Sequence, residues 1–473
     1  MYIMNKFINR QNELKFLNSK WGQEKSNLII VYGKRRVGKT ELIKHFIKNK
    51  NGIYFLADRR TTKDQLKELS QLFALHFKDE FIARNSFSDW LDVFIYLKDN
   101  VKDEFVFVVD EFPYLIETDH SINSIFQKGW DEYLKDIPIF MILSGSSIAM
   151  MESEVLGYNA PLYGRRSGQI LVKPLTFFQS REFFPSDSFE KHLSLYTLTG
   201  GMPAYILEMS ENLSISTNLK NKILQKNEFL YNEVEFILRE ELREPRIYLS
   251  ILKAISWGKT RASEIINETG IEKNILHKYL GVLEHLQLIE RKIPITENNP
   301  VKSKKGIYRI RDNFFNIWFQ YVYPYKSNLE VGEYREVLNK FNSGFQIMCG
   351  YTFEMVSIEV IKMYQKQIFN FERIGRWWDN NIEIDIVGIN NESKKILFGE
   401  CKWSNKPLGI NILEDLMNKA KYVNWNNTIR KEYYVLCSKS GFTDDLIKRA
   451  DLQSNIYLIV QDKILDNRSK VSV

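Results

Sequence analysis

The 473-residue chain is poor in cysteine, and its three, Cys349, Cys401 and Cys437, stand far apart along the sequence. That spacing offers no metal-type pair and no disulfide framework, and it suits a reducing cytoplasm. Long apolar runs are missing as well. The start, Met-Tyr-Ile-Met-Asn-Lys, lacks the stretch of a signal peptide. The most apolar run elsewhere, Ile137 to Leu143, is far short of the roughly 20 residues that span a bilayer, so no membrane embedding is expected. Neither internal repeats nor a low-complexity tract is visible. A strong excess of one charge sign is also missing: the net charge is +7 and the pI ≈ 8.9. That balance permits nucleic-acid binding without arguing for it.

What remains is ample core material. Hydrophobic residues make up 44% of the chain and charged residues 26%, with 24 Tyr and 31 Phe, which is a globular profile. The length exceeds one ordinary core and suggests two to four domains. Residues 1–205 alternate buried-strand runs (Asn27–Tyr32, Gly52–Ala57, Phe105–Asp110, Ile139–Ser144) with longer amphipathic stretches. That alternation predicts an α/β domain with a parallel sheet covered on both faces. Residues 206–245 turn helical and charged, as a linker region.

Residues 246–311 carry a three-helix pattern. Ile247, Ile251, Leu252 and Ile255 line the first helix, and Ala262, Ile265 and Ile266 the second. Gly270 marks the turn, and Ile275, Leu276, Tyr279, Leu280 and Leu283 line the third. Two short strands follow, Leu288–Ile293 and Ile307–Ile310, joined by a segment with Lys302, Lys304 and Lys305. This is the order of a winged helix-turn-helix. Glu272, Lys273, Asn274, His277 and Lys278 would face outward on the third helix, suited in part to a DNA groove. Glu268 and Glu272 oppose that use, and such a module serves equally as an intramolecular clamp. An aromatic bridge, 312–339, leads to a last α/β domain at 340–473 with the order helix (Phe345–Tyr364), hairpin (Ile382–Trp403), helix, strand, helix, strand.

Gly33-Lys34-Arg35-Arg36-Val37-Gly38-Lys39-Thr40 fits the P-loop pattern G-x-x-x-x-G-K-[ST], with an apolar strand before it and a helical segment from Glu41 after it. Glycines let the backbone curl its N–H groups toward phosphate oxygens, and a helix start adds the positive end of its dipole. Lys39 is expected to reach the β and γ phosphates of ATP, and the Thr40 hydroxyl to ligate Mg²⁺. The run Phe105–Val109 ends in Asp110-Glu111. Asp110 would hold Mg²⁺ through water, and Glu111 would orient and activate the attacking water.

These motifs, with Phe7-Ile8-Asn9-Arg10-Gln11-Asn12-Glu13-Leu14, Asp110-Glu111-Phe112-Pro113-Tyr114 and Gly200-Gly201-Met202-Pro203, resemble the AAA+ and signal-transducing ATPases. The likeness is to an archaeal-type ATPase family, also found in bacteria, with an extra C-terminal domain. The resemblance implies that the segment with Arg10 lies over the adenine, although relatives read Gly-Arg where this chain has Asn9-Arg10. It implies that Pro203 packs near the base and that Ser144 occupies a sensor position near the γ-phosphate; a turn serine is the plainer reading of Ser144. Arg165 and Arg166 are candidates for a charge-stabilising finger, against the plainer reading of a solvated loop pair. An AAA+-like core also hints at a homo-oligomer.

In the last domain, a hairpin centred on 392/393 would set residue i opposite 785 − i. Asp385 would then face Glu400, and Glu383 would face Lys402. Two carboxylates and a lysine suit phosphodiester cleavage with Mg²⁺ or Mn²⁺. The arrangement resembles the PD-(D/E)XK nuclease superfamily, with Glu354 as an additional ligand; Ile384 stands where the name has proline. A salt-bridge ladder, Glu383 to Lys402, is one alternative. A nuclease-like domain that binds DNA or protein without cutting is another. The sequence therefore supports an ATP-driven machine acting on DNA, or a signalling switch whose C-terminal domain binds without cleaving.

Overall fold

The structure is a computed structural model that describes residues 7–23, 25–242 and 244–465. The chain start read above, and the last residues of the expected final domain, lie outside the described residues. The chain forms two compact units: Met1–Phe183 with Met202–Tyr205, and Phe184–Gly201 with Ile206–Val473. The expected first domain ran unbroken to 205. Instead only four residues beyond Phe183 belong with the first unit, and they include Pro203.

The first unit is built on β1 (Asn27–Tyr32), β2 (Gly52–Leu56), β3 (Phe105–Asp110), β4 (Ile139–Gly145) and β5 (Gly168–Leu171). The order is β2-β3-β4-β1-β5 and every pairing is parallel. β1, β3 and β4 are buried at every position, which is why they read as unbroken apolar runs. β5 escaped prediction because it is four residues long and buries only Ile170 fully. Against the sheet pack Phe73, Trp90, Phe94, Phe107 and Phe126, with the Trp90 and Phe126 rings 5.0 Å apart. β4 lies between the P-loop strand β1 and the acidic strand β3, so its tip enters the site that the two frame.

In the second unit the helices Pro245–Ser256, Ala262–Thr269 and Lys273–His285 bury Ile251, Leu252, Ile255, Ile265, Leu276, Leu280 and Leu283. Gly270 closes the middle helix at φ 70, a conformation glycine adopts freely. Ile275 was expected inside but is 42% exposed, because it falls off the stripe of Leu276, Leu280 and Leu283. An antiparallel pair follows, β6 (Ile289–Lys292) and β7 (Ile307–Ile310).

The expected bridge is a core helix, Asn313–Tyr321, with Phe314, Phe315, Ile317, Trp318 and Phe319 all buried. Asn313, Asn316 and Gln320 form one partly buried polar face and the rest of the helix is buried, with Trp318 Nε1 donating to the Tyr231 carbonyl at 2.7 Å. The long helix Arg335–Met363 begins ten residues before its expected start.

A six-stranded mixed sheet follows, in the order β13-β12-β11-β10-β9-β8. Its strands are β8 (Arg373–Asp379), β9 (Ile382–Asn390), β10 (Lys395–Lys402), β11 (Lys431–Ser438), β12 (Ile456–Val460) and β13 (Lys463–Ile464). β10, β11 and β12 pair in parallel and the rest antiparallel. β8 was not foreseen, since a bulge between Gly375 and Trp377 breaks its alternation. The β9–β10 register matches 785 − i at each pair, from Lys395↔Asn390 to Gly399↔Ile386. Cys401 and Cys437, distant in sequence, are opposite one another on β10 and β11 as buried free thiols.

The segment joining β6 to β7 rests on β8. Ile295 N donates to the Arg376 carbonyl at 3.0 Å, Trp378 Nε1 donates to the Lys305 carbonyl at 3.2 Å, and Lys305 Nζ lies 3.1 Å from Asp379.

Candidate functional site

The P-loop curls between β1 and the helix Lys39–Ile47. A side chain at Gly33 would strike the Val172 carbonyl oxygen at 2.4 Å, and Gly38 caps the helix at φ 92. The Lys39 ammonium is buried and folds back to donate to the carbonyls of Gly33 (3.0 Å) and Lys34 (3.2 Å) and to Ser146 Oγ (2.9 Å). Thr40 Oγ1 donates to Asp110 Oδ2 at 2.8 Å, so the P-loop helix and the acidic strand meet as their motifs require. Arg35 reaches the Tyr114 hydroxyl at 3.2 Å, Arg36 is exposed at φ 69, and Glu41 is exposed in the first helical turn.

Asp110 is fully buried, and Tyr54 Oη on the neighbouring β2 donates to the same Oδ2 at 2.6 Å. Burial, with the charge of Asp110 added, pushes the Tyr54 phenol far up, so it remains a donor. Glu111 adopts φ 55, a left-handed conformation that costs a non-glycine residue energy and recurs at functional sites. Its carboxylate is held by the Ser146 backbone N–H (3.1 Å) and by the Ser146 hydroxyl. Ser146 therefore joins Lys39 to Glu111.

The remaining residues divide. Ser144, expected at the sensor position, has a buried Oγ with no hydrogen-bond partner among the described residues; Ser146, two places on, makes the contacts. Arg10 is buried and its guanidinium donates to the carbonyls of Val37 (2.7 Å) and Lys173 (2.7 Å) and to Glu13 (3.2 Å). Through Val37 it braces the P-loop. Phe7, at the head of the same motif, stacks on His45 of the P-loop helix at 4.1 Å. Pro203 lies 3.9 Å from where a side chain on Gly38 would stand, beside the P-loop. Arg165 is tied to Asp131 at 2.8 Å, and Arg166 donates to the Leu156 carbonyl at 3.3 Å and stacks over Tyr163. Both arginines are engaged locally.

In the second unit, Asp385 and Glu400 are buried, yet no hydrogen-bonded strand pair joins them. Asp385 Oδ2 accepts from the Cys401 backbone N–H at 3.0 Å. The expected Glu383–Lys402 pair does not form. Glu383 pairs with Arg376 at 3.2 Å, while Lys402 pairs with Glu400 at 2.7 Å. The expected trio of Glu354, Asp385 and Glu400 does not gather either. Among the described residues no group of three or more His, Cys, Asp or Glu is placed to hold a metal ion. Arg376 of β8 contacts two of these acids, at 2.8 Å from Glu354 and 3.8 Å from Asp385.

Burial pushes Glu354 up to about 7, with the charge of Asp385 adding and Arg376 and Arg309 opposing. Asp385 is raised as well, by burial first and then by Glu400. Burial lowers Arg376, but Glu354, Asp385 and Glu383 outweigh it and raise the guanidinium overall. Burial disfavours the charged forms of Glu354 and Asp385 more than their neighbouring cations restore them, while Arg376 stays charged.

Residues 7–209 match a family described as an ATPase domain predominantly from Archaea. Residues 318–419 match a second, described as archaeal and bacterial proteins of unknown function. Uncharacterized protein MJECL04 of Methanocaldococcus jannaschii is 36% identical over 439 residues, 92% of this chain and 95% of that protein. The chain belongs to this predominantly archaeal ATPase family. A second protein of that organism, uncharacterized ATP-binding protein MJ0423, is 60% identical over 50 residues, 11% of this chain and 85% of the relative. Among solved structures, a Walker-type ATPase of Pyrococcus abyssi superposes with TM-score 0.48 at 23% identity, covering 66% of this chain and 96% of that one. The ORC2 protein of Aeropyrum pernix gives 0.45 at 14%, covering 66% and 91%.

Three residues of this ATPase escaped sequence reasoning: Tyr54, Ser146 and Arg376. Ser146 had a signal, since Ser144-Gly-Ser146-Ser147 offers three hydroxyls at one strand tip and the choice turns on which leaves the strand. Tyr54 and Arg376 had none, because each acts through a neighbouring strand whose order or existence the sequence does not declare. No helix among the described residues is long and apolar enough to cross a membrane.

Proposed function

We propose that this protein binds and hydrolyses Mg²⁺-ATP at the P-loop and uses the cycle as a conformational switch, with a C-terminal domain that recognises its partner without cutting it. The observation that carries the reading is the Thr40–Asp110 contact at 2.8 Å, which brings phosphate loop and acidic strand into one site. Lys39 rests on loop carbonyls and can exchange them for β and γ phosphate oxygens. The N–H groups from Gly33 to Thr40 and the helix start would take the remaining phosphate charge. Thr40 and Asp110 would hold Mg²⁺, whose charge offsets that developing on the phosphates. Glu111, once released by Ser146, would accept a proton from water as that water attacks the γ-phosphorus. The bond to the bridging oxygen then breaks, leaving ADP and inorganic phosphate.

Lys39→Ala should lose nucleotide binding. Glu111→Gln should keep binding and slow phosphate release by about 10²-fold or more. An unchanged hydrolysis rate in Glu111→Gln would show that the wrong acid carries the reaction.

For the second unit, we read residues 246–311 as a winged helix and 340–473 as a PD-(D/E)XK-like domain, with 206–245 and 312–339 connecting them. Arg376 between Glu354 and Asp385 favours binding over cleavage, because a fixed guanidinium takes the place a metal ion would need. DNA is the partner that the third helix supports: Lys273, Asn274, His277 and Lys278 are exposed on it. Lys305 of the wing is engaged with Asp379 and Glu297, so the wing acts first as a clamp. Plasmid incubated with Mg²⁺ or Mn²⁺, with and without ATP, should stay intact. Cutting that disappears in Lys402→Ala would restore the metal-dependent nuclease. Duplex binding should weaken with salt and in Lys273→Ala/Lys278→Ala; equal affinity in that variant would remove the third helix as the reader.

A further inference from the structure

Asp110 is fully buried, so the placement of its carboxylate depends on the donors around it. Three donors hold it among the described residues. Thr40 Oγ1 and Tyr54 Oη both donate to Oδ2, at 2.8 and 2.6 Å, and the Glu111 backbone N–H donates to Oδ1 at 3.0 Å. A carboxylate offers about four acceptor positions, two on each oxygen. Oδ2 is therefore filled, and Oδ1 has one position to spare.

The three donors differ in what else they do. Thr40 stands on the P-loop helix, and its hydroxyl is also the group offered to the ion. The Glu111 N–H is main chain and follows the strand tip. Tyr54 comes from β2, which brings no other side chain to Asp110. In the parallel register Leu56 lies beside Asp110, while Tyr54 lies beside Val108, one place back on the same face. Diagonal neighbours of that kind are about 8 Å apart, a span that an aromatic side chain covers. The nearer position is apolar, and the reach is left to the phenol. The main chain of β2 grips the same residue, since Ala57 N donates to the Asp110 carbonyl at 2.9 Å.

We propose that Tyr54 is a positioning residue of the nucleotide site, which fixes the plane of the Asp110 carboxylate before Mg²⁺ arrives and leaves Oδ1 as the oxygen that serves the ion. This rests on the reading of Thr40 and Asp110 as the residues that hold Mg²⁺. Tyr54 makes and breaks no covalent bond. Removing its hydroxyl acts on the ion in two opposed ways. The carboxylate keeps more of its negative charge, which favours a cation, and it loses its orientation, which disfavours one. Orientation is the larger effect here. Without the phenol a buried oxygen lacks a donor, and the carboxylate can turn to seek another.

The experiment measures the affinity of the full chain for a non-hydrolysable ATP analogue by calorimetry, in Mg²⁺ and in EDTA. The ratio of the two is the gain due to the ion. Tyr54→Phe should leave the affinity in EDTA within about twofold and cut the gain by about fivefold or more, the order expected for one hydrogen bond to a charged group. Tyr96→Phe is the control, because Tyr96 Oη donates to Asp79 Oδ2 at 2.9 Å on other elements of the first unit. It removes a bond of the same kind and should leave the gain unchanged. Asp110→Asn should reduce the gain more strongly than Tyr54→Phe. Adding Tyr54→Phe to it should reduce the gain no further, since the phenol acts through that carboxylate.

The role of Tyr54 fails if Tyr54→Phe leaves the gain unchanged or enlarges it, or if Tyr96→Phe cuts it equally. It fails as well if Tyr54→Phe has its full effect in the Asp110→Asn background. In each of these cases a strong loss in Asp110→Asn alone would leave the Mg²⁺ site itself standing. A gain that survives Asp110→Asn would overturn the Mg²⁺ reading, and the role of Tyr54 with it.

Discussion

The two units hold the same kinds of residue at their sites, carboxylates beside lysine at the ends of buried strands, yet the charges are arranged in opposite ways. At the P-loop, Lys39 donates to backbone carbonyls and a serine hydroxyl, and Asp110 accepts from a threonine and a tyrosine hydroxyl. These are neutral partners that a triphosphate and a metal ion can replace. In the C-terminal region, Glu354 of the long helix and Asp385 of β9 face Arg376, and Glu400 faces Lys402 and Lys419. Those partners are covalently fixed cations. A site that keeps its charges on exchangeable neutral groups is prepared for a ligand, and one that cancels them internally is prepared to stay closed.

The largest effect that would test this contrast is the removal of the fixed cation. Arg376→Ala should destabilise the second unit by about 3–5 kcal/mol in urea unfolding, since it strands buried carboxylates. It should leave P-loop nucleotide binding intact. If Arg376 does stand where a metal would, the variant should also regain part of its stability on adding Mn²⁺. A loss under about 1 kcal/mol would mean that the carboxylates were never dependent on the arginine.

The next effect is a pH dependence. Glu354 ionises near 4.5 in the unfolded chain and near 7 in the folded one. Its contribution is complete below pH 4.5 and is lost as pH rises through 7, because the unfolded state ionises first. The loss should approach about 3 kcal/mol across that window, and Glu354→Gln should flatten the slope. A parallel pair of stability–pH curves would break the contrast from the other side.

The smallest effect lies at the P-loop. Ser146→Ala removes one hydroxyl between Lys39 and Glu111 and should change the hydrolysis rate by about tenfold, with nucleotide affinity within a few-fold. Ser144→Ala should change neither. If Ser144 proved the sensitive position, the two serines would exchange roles.

Legibility followed locality. The P-loop is a contiguous stretch with a fixed backbone form, and β1 and β3 are buried along their whole length, so composition alone disclosed them. The hairpin register was legible because Asn391, Glu392 and Ser393 mark its turn. What the sequence could not disclose was lateral order. That β2 brings Tyr54 to Asp110 follows from the order β2-β3-β4-β1-β5. The place of Arg376 beside Glu354 and Asp385 was hidden for the same reason: it rests on β8, whose bulge erases the alternation that would have announced the strand. The aromatic bridge misled differently. Phe314 to Phe319 is apolar but for Asn316, which reads as a linker when no neighbours are known and as a core helix once they are.

The resting place of the segment between β6 and β7 has a consequence at the sheet edge. β8 is the outermost strand of the C-terminal sheet, and a strand so placed offers unpaired backbone groups to any other chain. The bulge at Gly375 and Trp377 twists it, and the bond from Ile295 to the Arg376 carbonyl, with Lys305 laid across Asp379, covers much of what is left. Shortening the loop between β6 and β7 is therefore expected to bare an edge open to sheet growth.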